Sequence, residues 1–382
     1  MIPYGRQDIN AADIEAVIAV LKSDWLTQGP AIEQFEEYVA GYCGAKYAVA
    51  VCNATAALHI ACLAAELGPG DVLWTVPNTF VASANCGRYC GATVDFVDID
   101  DVSYNMSVSG LAEKLASGGV RPKIVIPVHF SGQSCEMEKL ARLAKQYEFM
   151  IIEDASHAVG GEYQDKKIGA CTYSDMTVFS FHPVKIVTTG EGGMVLTNRR
   201  DLYERLLMLR SHGITRNPEL MQGDADGPWY YQQVTLGFNY RMTDLQAALG
   251  RSQCDRLDEF ILRRRYLAKR YDELLSGLPL QLPKQDPAGK SAWHLYVIRL
   301  KLEQLAKTRL TVFNELRDAG INVNLHYIPV HTQPYYRALG FKPGHFPVAE
   351  KYYQEAITLP LYYGLTDKEQ DYIVTTLQGV LK

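Results

Sequence analysis

The stretch Lys46–Leu67, KYAVAVCNATAALHIACLAAEL, changes from a strand pattern to a helix pattern. After Lys46, the residues YAVAV form a short apolar run typical of a buried strand, and the residues from Thr55 onward carry the apolar spacing of a helix. A small residue and a threonine stand at the change, where a helix commonly begins. The stretch therefore predicts a strand that passes through a short turn into a helix.

The same alternation continues toward the middle of the chain. Strand patterns and helix patterns follow one another as DVLWTVP, FVASANCGRYC, TVDFVDI, KIVIPVHF, EMEKLARLAKQYE, FMIIEDAS, MTVFSF and GGMVLTN. Apolar strands that alternate with helices predict a mostly parallel α/β sheet with both faces covered. Ligands of such sheets bind at the carboxyl ends of the strands, so we expect the functional site there.

The pattern changes after about Asn239. Asp244–Leu275 predicts one or two long helices that bridge two domains. AWHLYVIRL, a helix from about Glu303 to Ala319 and a last helix from about Asp367 predict a smaller α+β domain. We therefore expect a large α/β domain with its N-terminal segment in residues 1–245, and linking helices with a small domain in residues 246–382.

Composition excludes several classes of protein. The 382 residues are 47% hydrophobic and 21% charged with a net charge of -5, which is typical of a globular protein without a basic nucleic-acid surface. The start lacks a signal-peptide core, and no apolar run reaches the length of a membrane span. Eight scattered cysteines without a C-x-x-C pair indicate buried thiols rather than a metal site or disulfides. We expect a cytoplasmic protein without nucleic-acid or membrane partners.

Two charged residues follow predicted strands. Asp154 ends the run FMIIED, and Lys185 follows MTVFSF, with Ser180 and His182 beside it. The aspartate alone is explained equally well as a cap, and the lysine as a solvated or paired side chain. In a parallel sheet, however, both strand ends open on one crevice.

A lysine and an aspartate at one crevice suit pyridoxal phosphate. This cofactor needs an amine for its Schiff base and an anion beside its ring nitrogen. The amine must lose its proton near neutral pH, far below the usual lysine pKa of about 10.4, and burial favours that loss. Free N–H groups near Thr55, at a predicted helix start, suit the phosphate, although a plain helix cap explains that threonine alone. The glycines of GEGG read as a tight turn rather than a phosphate loop.

Five ordered motifs carry a resemblance to a known family: EDASHA (153–158), SFHPVK followed by TTGEGG (180–193), NATAAL (53–58), NTFVASAN (78–85) and GFNYRM (237–242). Together with LTQGP near the start and FPVAEKYYQEAITLPLYYGLT near the end, they resemble the DegT/DnrJ/EryC1/StrS nucleotide-sugar aminotransferases. The resemblance implies the type I, aspartate aminotransferase-like fold and pyridoxal 5'-phosphate as cofactor. NLHYIPVHTQPYYRALGF is similar to members of the pseudaminic acid route.

The resemblance also implies roles for individual residues. Lys185 would be catalytic, binding the cofactor and moving a proton. The implied cofactor-binding residues are Thr55, Ala56 and Ser180 at the phosphate, Asp154 at the ring nitrogen, His157 near the phenolic oxygen, Phe80 on the ring face, and Asn239 toward the phosphate of a neighbouring subunit. Taken alone, Phe80 and His157 are also explained as core residues. The implied substrate-binding residues are Tyr4, Asp24, Trp25, Leu26, Thr27, Asn324, Leu325, His326 and Tyr327.

The implied activity is that of a homodimeric transaminase with active sites at the subunit interface. It would move an amino group from L-glutamate, leaving 2-oxoglutarate, to C4 of a UDP-linked 4-keto-6-deoxy-N-acetylhexosamine with ping-pong kinetics. Alternatives are a keto-sugar of the bacillosamine, viosamine or 4-amino-arabinose type, or a non-catalytic sugar-binding or regulatory homologue. Family members that dehydrate the sugar replace the lysine, so Lys185 argues against that reaction. The loop 215–233 is explained either as a wall of the UDP pocket or as a solvated insertion.

Overall fold

The computed structural model describes residues 1–382. The α-helices are α1 (Ala11–Leu21), α2 (Pro30–Cys43), α3 (Ala54–Ala64), α4 (Ala82–Tyr89), α5 (Val108–Ala116), α6 (Met137–Tyr147), α7 (Arg200–Arg210), α8 (Asp244–Cys254), α9 (Leu257–Leu274), α10 (Arg309–Asp318), α11 (Pro334–Ala338), α12 (Pro347–Glu355) and α13 (Asp367–Val380). Three short 3-10 turns span Phe130–Gly132, Leu302–Gln304 and Val330–Thr332.

The strands form four sheets. They are β1 (Tyr47–Val51), β2 (Val72–Thr75), β3 (Thr93–Phe96), β4 (Ile124–Val125), β5 (Met150–Asp154), β6 (Glu162–Tyr163), β7 (Lys166–Lys167), β8 (Met176–Ser180), β9 (Gly193–Thr197), β10 (Ile214–Thr215), β11 (Gln232–Gln233), β12 (Leu280–Gln281), β13 (Gly289–Lys290), β14 (Tyr296–Leu300) and β15 (Ala356–Leu359). The largest sheet has seven strands in the order β1-β9-β8-β5-β4-β2-β3.

The central sheet is mostly parallel, as the sequence predicts. β3, β2, β4, β5 and β8 pair in parallel, whereas β9 runs antiparallel to both of its neighbours, β8 and β1. The strands β5, β8 and β9 are almost entirely buried, which explains why their sequences are continuous apolar runs rather than alternating patterns. The α/β fold class predicted from the sequence is confirmed.

The start of α3 lies against the start of β9. A Cβ atom on Gly193 would meet the backbone carbon and oxygen of Asn53 at 2.6 Å, so only glycine allows this approach. Gly190, in the preceding turn, has a φ of +79°, a conformation that other residues rarely adopt. The interpretation of TTGEGG as a turn that leads into a strand is confirmed.

The C-terminal part of the chain forms a separate three-stranded sheet, β12-β14-β15, whose strands are antiparallel. Its core contains residues of α9, α10 and α13, among them Tyr271, Leu316 and Leu377. The first residues of the chain join this part, because Ile2 pairs with Ile321. The division at residues 245 and 246 stays a prediction.

Three predicted elements differ from the observed ones. The helix expected from Glu303 begins at Arg309, because the side chain of Thr308 caps it there. Only Ile124 and Val125 of KIVIPVHF form a strand, since Pro127 has no N–H to continue the ladder. The loop 215–233 begins and ends in the two-stranded ribbon β10-β11, which its polar sequence does not indicate.

No helix of the protein combines the length and the apolar character that a bilayer crossing requires.

Candidate active site

A cavity of about 900 Å³ opens at the carboxyl ends of β5 and β8. The start of α3 and the turn after β8 contribute to its walls, and so do side chains from both ends of the chain. It brings together ten of the residues predicted from the sequence: Tyr4, Thr55, Ala56, Phe80, Asp154, His157, Ser180, Lys185, His326 and Tyr327. The edge of the parallel sheet is therefore the place where the predicted side chains meet.

Lys185 lies in the turn between β8 and β9. Its backbone N–H donates to the carbonyl of His182 at 2.8 Å, and its side chain enters the cavity. The Nζ atom has neither a hydrogen-bond partner nor a carboxylate within ion-pair distance. Burial lowers the pKa of Lys185 to about 8, although the nearby Asp154 carboxylate opposes that shift. The amine therefore loses its proton far more readily than an ordinary lysine.

Asp154 is the last residue of β5 and is almost fully buried. The hydroxyl of Ser83, from α4, donates to its Oδ2 at 2.6 Å. The backbone N–H and the hydroxyl of Ser156 donate to Oδ1 at 3.1 and 2.6 Å. Thr79 in turn lies 2.7 Å from the Ser83 hydroxyl. All contacts to the carboxylate are donors, and they fix its orientation.

The N-terminus of α3 forms another part of the wall. Asn53 caps the helix, and its side chain accepts the N–H of Ala56 at 2.8 Å. The N–H groups of Ala54 and Thr55 have no partner in the helix, as expected for the first residues of a helix. The hydroxyls of Thr55 and Ser180 also have no protein partner and face the cavity. Such a group of donors suits an anion, and the helix dipole adds to the attraction.

His157 and Tyr327 form a hydrogen-bonded pair at the cavity. The backbone N–H of Ser131 donates to Nδ1 of His157 at 3.2 Å, and Nε2 lies 3.0 Å from the Tyr327 hydroxyl. Burial, and to a lesser degree the positive charge of Lys185, holds the pKa of His157 well below its usual value. The imidazole is therefore neutral. The exposed ring of Phe80 lies 6.4 Å from the ring of Tyr327.

His294 completes a group of neutral imidazoles around Lys185. Its ring lies 4.5 Å from that of His157, and burial together with Lys185 lowers its pKa far below the usual value. Nδ1 of His326 forms a hydrogen bond with the hydroxyl of Thr358 at 2.9 Å. Burial lowers the pKa of His326 to about 3. A Cβ on Gly132 would meet the backbone N of Trp293 and His294 at 2.8 and 3.0 Å, so this glycine permits the approach that places His294.

The sequence prediction missed three residues of the site. Ser83 and Ser156 hold Asp154, and His294 packs on His157. Ser83 lies inside the motif NTFVASAN and Ser156 inside EDASHA, so the same motifs that indicate Phe80 and Asp154 could have indicated these two serines. His294 sits in an apolar strand pattern of another part of the chain, and nothing in that pattern indicates the contact.

Seven predicted residues do not line the cavity. Asp24–Thr27 is exposed, and Thr27 pairs with Thr243 at the start of α8. Asn239 is exposed and pairs with Ser211. Asn324, next to Leu325, pairs with Thr358 on β15. Their predicted contacts to substrate or to a neighbouring subunit stay predictions.

The residues of the cavity fit pyridoxal phosphate. Lys185 supplies an unpartnered amine of lowered pKa, Asp154 a buried carboxylate, and the start of α3 a set of free donors. Phe80 offers an aromatic surface, 58% exposed, for a flat ring. The fold and the site thus define the class of pyridoxal-phosphate-dependent enzymes with an α/β fold.

The chain belongs to the DegT/DnrJ/EryC1/StrS aminotransferase family, whose sequence pattern matches residues 7–378. Curated relatives align over nearly their whole length. SpsC of Bacillus subtilis, a spore coat polysaccharide biosynthesis protein, is 38% identical, and the alignment covers 100% of this chain and 97% of the relative. The UDP-4-amino-4,6-dideoxy-N-acetyl-beta-L-altrosamine transaminase of Campylobacter jejuni is 35% identical, with 100% of this chain and 98% of the relative covered. GDP-perosamine synthase of Caulobacter vibrioides is 36% identical, and the alignment covers 98% of this chain and 96% of the relative.

Solved structures also align with the chain over nearly its whole length. Spr1654 of Streptococcus pneumoniae in its PLP form, described as a putative sugar aminotransferase, matches with a TM-score of 0.90 and 31% identity, and 100% of each chain is covered. Helicobacter pylori PseC, an aminotransferase of pseudoaminic acid biosynthesis, matches with a TM-score of 0.90 and 30% identity, covering 100% of this chain and 99% of the other. The protein is therefore a pyridoxal-phosphate-dependent sugar aminotransferase.

Proposed function

We propose that the protein transfers an amino group from L-glutamate to C4 of a UDP-linked 4-keto-6-deoxy-N-acetylhexosamine, the UDP-4-keto-β-L-AltNAc type of the pseudaminic acid route. The observation that carries the transaminase chemistry is the unpartnered Lys185 amine of lowered pKa beside the buried Asp154. The choice of sugar is supported by the Campylobacter and Helicobacter relatives, which are named for that route.

The bound cofactor would supply an aldehyde that condenses with amines and a protonated ring that withdraws electrons from the neighbouring carbon. Asp154 would keep the ring nitrogen protonated. The free N–H groups of Ala54 and Thr55 and the hydroxyls of Thr55 and Ser180 would hold the phosphate, while the N–H of Ala56 stays with the Asn53 cap. Lys185 would release the cofactor to the incoming amine. Its Nζ would then carry the proton from one reacting carbon to the other as general base and acid.

The substrate would enter between the two parts of the chain. Tyr4, His326 and Tyr327 line the cavity beside Lys185 and present hydroxyl and imidazole groups to a sugar. Asp24–Thr27, Asn324 and Leu325 would reach the nucleotide further out. Because His157, His294 and His326 are neutral, they would act as hydrogen-bonding groups and would add no charge beside the sugar.

We also propose a homodimer in which Asn239 of one subunit reaches the phosphate bound in the other. Asn239 is exposed and lies outside the cavity of its own chain. Leu236 and Trp229, in the segment of the chain that precedes Asn239, are 75% and 70% exposed, which is unusual for large apolar side chains. Mixing inactive Lys185→Ala and Asn239→Ala subunits tests this arrangement. A hybrid dimer regains one intact site only if Asn239 acts on its neighbour.

A second candidate substrate is a GDP-linked 4-keto-sugar, because GDP-perosamine synthase aligns with the chain at a similar identity. Purified protein loaded with cofactor and glutamate is incubated separately with UDP-linked and GDP-linked 4-keto-sugars, and the amino-sugar products are identified by mass spectrometry. We expect amination of the UDP-linked sugar of β-L configuration, and none by Lys185→Ala. A preference for the GDP-linked sugar would show that the proposed UDP-linked substrate is wrong. Failure to exchange nitrogen with glutamate would show that the protein is not a glutamate-dependent transaminase.

A further inference from the structure

Two polar side chains without full partners lie at one wall of the cavity. His294, which lines the cavity, is 4% exposed, and its Nδ1 atom is enclosed with no hydrogen-bond partner. Arg264, on α9, is 2% exposed, and its Nε atom is likewise enclosed without a partner. Buried polar groups nearly always have partners, because an unpaired one costs free energy. Two such groups at one wall therefore call for a ligand or another physical reason.

Arg264 is a buried charge without a counter-ion. Its Nη1 donates to the backbone oxygens of Trp293 and His294 at 3.2 Å each and to that of Leu361 at 2.9 Å. Burial alone lowers its pKa to about 10, with no neighbouring carboxylate to oppose the shift, so the guanidinium stays charged at neutral pH. These contacts hold the segment that carries His294, and the charge acts on the cavity from behind that segment.

The imidazole of His294 has one proton and no acceptor for it. The ring is neutral, because burial and the charge of Lys185 hold its pKa well below the usual value. Nδ1 meets no acceptor, and a buried N–H without an acceptor is rarer than an unpaired acceptor, so the proton belongs on Nε2. Nε2 has no partner in the protein either, and the ring borders the cavity. His294 thus offers the cavity one unused donor.

The same wall has positive character and holds no anion. Only two carboxylates line the cavity, and neither contacts His294: Asp154 accepts from serine hydroxyls, and Glu191 lies in the turn before β9. No arginine lines the cavity, but the positive charges of Lys185 and Arg264 both act on His294. An anionic group of a substrate would therefore meet a hydrogen-bond donor and two positive charges at this wall.

An α-amino acid brings such an anion to the place where it is needed. Its carboxylate is bonded to the carbon that bears the amine, so an amine that reacts beside Lys185 places the carboxylate close by. A nucleotide sugar has no carboxylate at its reacting carbon. Its diphosphate is attached at C1, across the ring from C4, and so lies farther from Lys185. The amino donor is therefore the substrate that this wall fits.

We propose that Nε2 of His294 donates a hydrogen bond to the α-carboxylate of the amino-acid donor, and that Arg264 is the positioning residue that fixes His294 and attracts this anion. The inference rests on the proposed function, in which L-glutamate supplies the amino group. It goes further by assigning His294 and Arg264 to only one half of the reaction. The keto-sugar half has no carboxylate to bind, so the two halves should depend on these residues differently.

The first test compares the two halves in the cofactor-loaded protein. Each half is followed in a single turnover by the absorbance of the cofactor, with L-glutamate in one series and the amino sugar that the protein forms in the other. His294→Leu removes the donor, whereas His294→Gln keeps an N–H donor near the position of Nε2. The leucine variant should need about tenfold or more L-glutamate for its half-maximal rate, because a hydrogen bond to a charged group is lost.

The glutamine variant should recover most of that loss. The concentration of amino sugar for the half-maximal rate should change less than about threefold in both variants, since no charged partner is lost in that half. Equal losses in the two halves would show that His294 only maintains the shape of the cavity and would overturn the proposal.

The second test concerns the charge behind His294. Arg264→Met removes it, Arg264→Lys keeps a positive charge, and Arg263→Met removes a neighbouring arginine that is already paired with Asp367 at 2.9 Å. We expect Arg264→Met to need about tenfold or more L-glutamate for its half-maximal rate, and Arg264→Lys to need less than Arg264→Met does. Arg263→Met should change this concentration less than about twofold. Equal effects of Arg264→Met and Arg263→Met would contradict the role of Arg264.

A third measurement uses the unsubstituted protein, so it remains informative if a variant does not fold. α-Methyl-L-glutamate carries both carboxylates and the amine of glutamate but has no α-hydrogen to lose, so it occupies the site without completing the transfer. Nitrogen-15 NMR of the cofactor-loaded protein should show the proton of His294 on Nε2, and this signal should shift when α-methyl-L-glutamate is added but not when the amino sugar is added. A proton on Nδ1, or an equal shift with both ligands, would overturn the inference.

The outcomes separate this inference from the proposed function. If the unsubstituted protein takes no nitrogen from L-glutamate, the proposed function fails. If it does take nitrogen, and His294→Leu needs no more L-glutamate than the unsubstituted protein, only the present inference fails.

Discussion

At the scale of single residues, the pKa of Lys185 determines the pH at which its amine becomes reactive in the cofactor-free protein. Its pKa is lowered by burial to about 8, so the reactive neutral amine appears as pH rises through 8 rather than through the usual value near 10.4. We expect acetylation of Lys185 by acetic anhydride in the cofactor-free protein, followed by mass spectrometry, to show a midpoint near pH 8.

Asp154→Asn provides the control, because the carboxylate opposes the shift. Its removal leaves burial unopposed, so the midpoint should move below that of the unsubstituted protein. Exposed lysines in the same sample serve as internal references. A midpoint of Lys185 that coincides with theirs would show that burial does not act on this amine.

A second prediction at the scale of residues concerns the hydroxyl of Ser83. Ser83→Ala removes the 2.6 Å donor to Oδ2 of Asp154 inside a buried site. Since a hydrogen bond to a charged group contributes about 1.5–3 kcal/mol, we expect the affinity for pyridoxal phosphate to fall about tenfold or more, measured by equilibrium dialysis. Thr79→Val, which breaks only the outer link to Ser83, should change it less than about threefold. A larger effect from Thr79→Val would contradict this order.

Sequence patterns located Lys185 and Asp154 because both follow apolar strands, and strand ends of a parallel sheet share an edge. Ser83 and His294 could not be located in this way. Ser83 comes from a helix between other strands, and His294 arrives from the C-terminal part of the chain. Their contacts depend on how distant segments pack, which local spacing does not determine.

At the scale of elements, α8 caps α2 across a long sequence separation. Gly29, the N-cap residue of α2, has no side chain to cap the helix. The carboxylate of Asp244, the first residue of α8, accepts the N–H groups of Gly29 and Ala31 at 2.6 and 2.9 Å. Asp244 is fully buried. This contact anchors the segment that leads from Asp24 into α2.

We expect Asp244→Ala to lower the free energy of unfolding by about 2 kcal/mol, because two N–H groups lose a charged acceptor. Urea unfolding followed by circular dichroism measures the change. Asp255→Ala, at the other end of α8, removes only an exposed pair with Arg251 and should cost less than about 0.5 kcal/mol. Equal effects of the two substitutions would show that Asp244 does not act as the cap.

Elements whose apolar residues are buried on both faces were predicted correctly, as β1, α3, β5 and β8 illustrate. The start of α10 was placed wrongly. Its apolar residues continue upstream into Leu302 and Leu305, but the cap at Thr308 decides where the helix begins. Periodicity thus identifies an element better than it locates its ends.

At the scale of the whole molecule, three buried neutral histidines link stability to pH. His157, His294 and His326 have lowered pKa values in the folded state and return to about 6.5 on unfolding. Below pH 6.5 the unfolded chain therefore binds protons that the folded chain does not. The contribution of these histidines to the free energy of unfolding is therefore complete above pH 6.5, and it is lost as the pH decreases.

His326 alone should contribute a slope of about 1.4 kcal/mol per pH unit between about pH 6 and 4, because its folded pKa is about 3. We expect His326→Asn to reduce the pH dependence of the free energy of unfolding by nearly that amount, measured by urea titrations of the cofactor-free protein. The variant is less stable at neutral pH, but its slope is the quantity compared. An unchanged slope would mean that His326 is protonated in the folded state.

The predominantly parallel sheet of the whole molecule could be predicted from the sequence, but the reversed direction of β9 could not. GGMVLTN is an apolar run like its neighbours, and both of its faces are buried. Parallel and antiparallel strands with both faces covered carry the same pattern. The connection between β8 and β9, residues 181–192, contains Pro183 and glycines of TTGEGG and holds no helix that could carry the chain across to a parallel strand.

The placement of β1 has a consequence for how the chain is made. β1 is the edge strand of the central sheet, and its only partner in that sheet is β9. During synthesis β1 leaves the ribosome long before β9 exists, so it waits without a partner while the strands between them are made. Contacts so distant in sequence slow folding and leave an unpaired strand open to aggregation. The edge that β9 completes also carries the start of α3, so the anion-binding end of the cavity stays incomplete until β9 has been made.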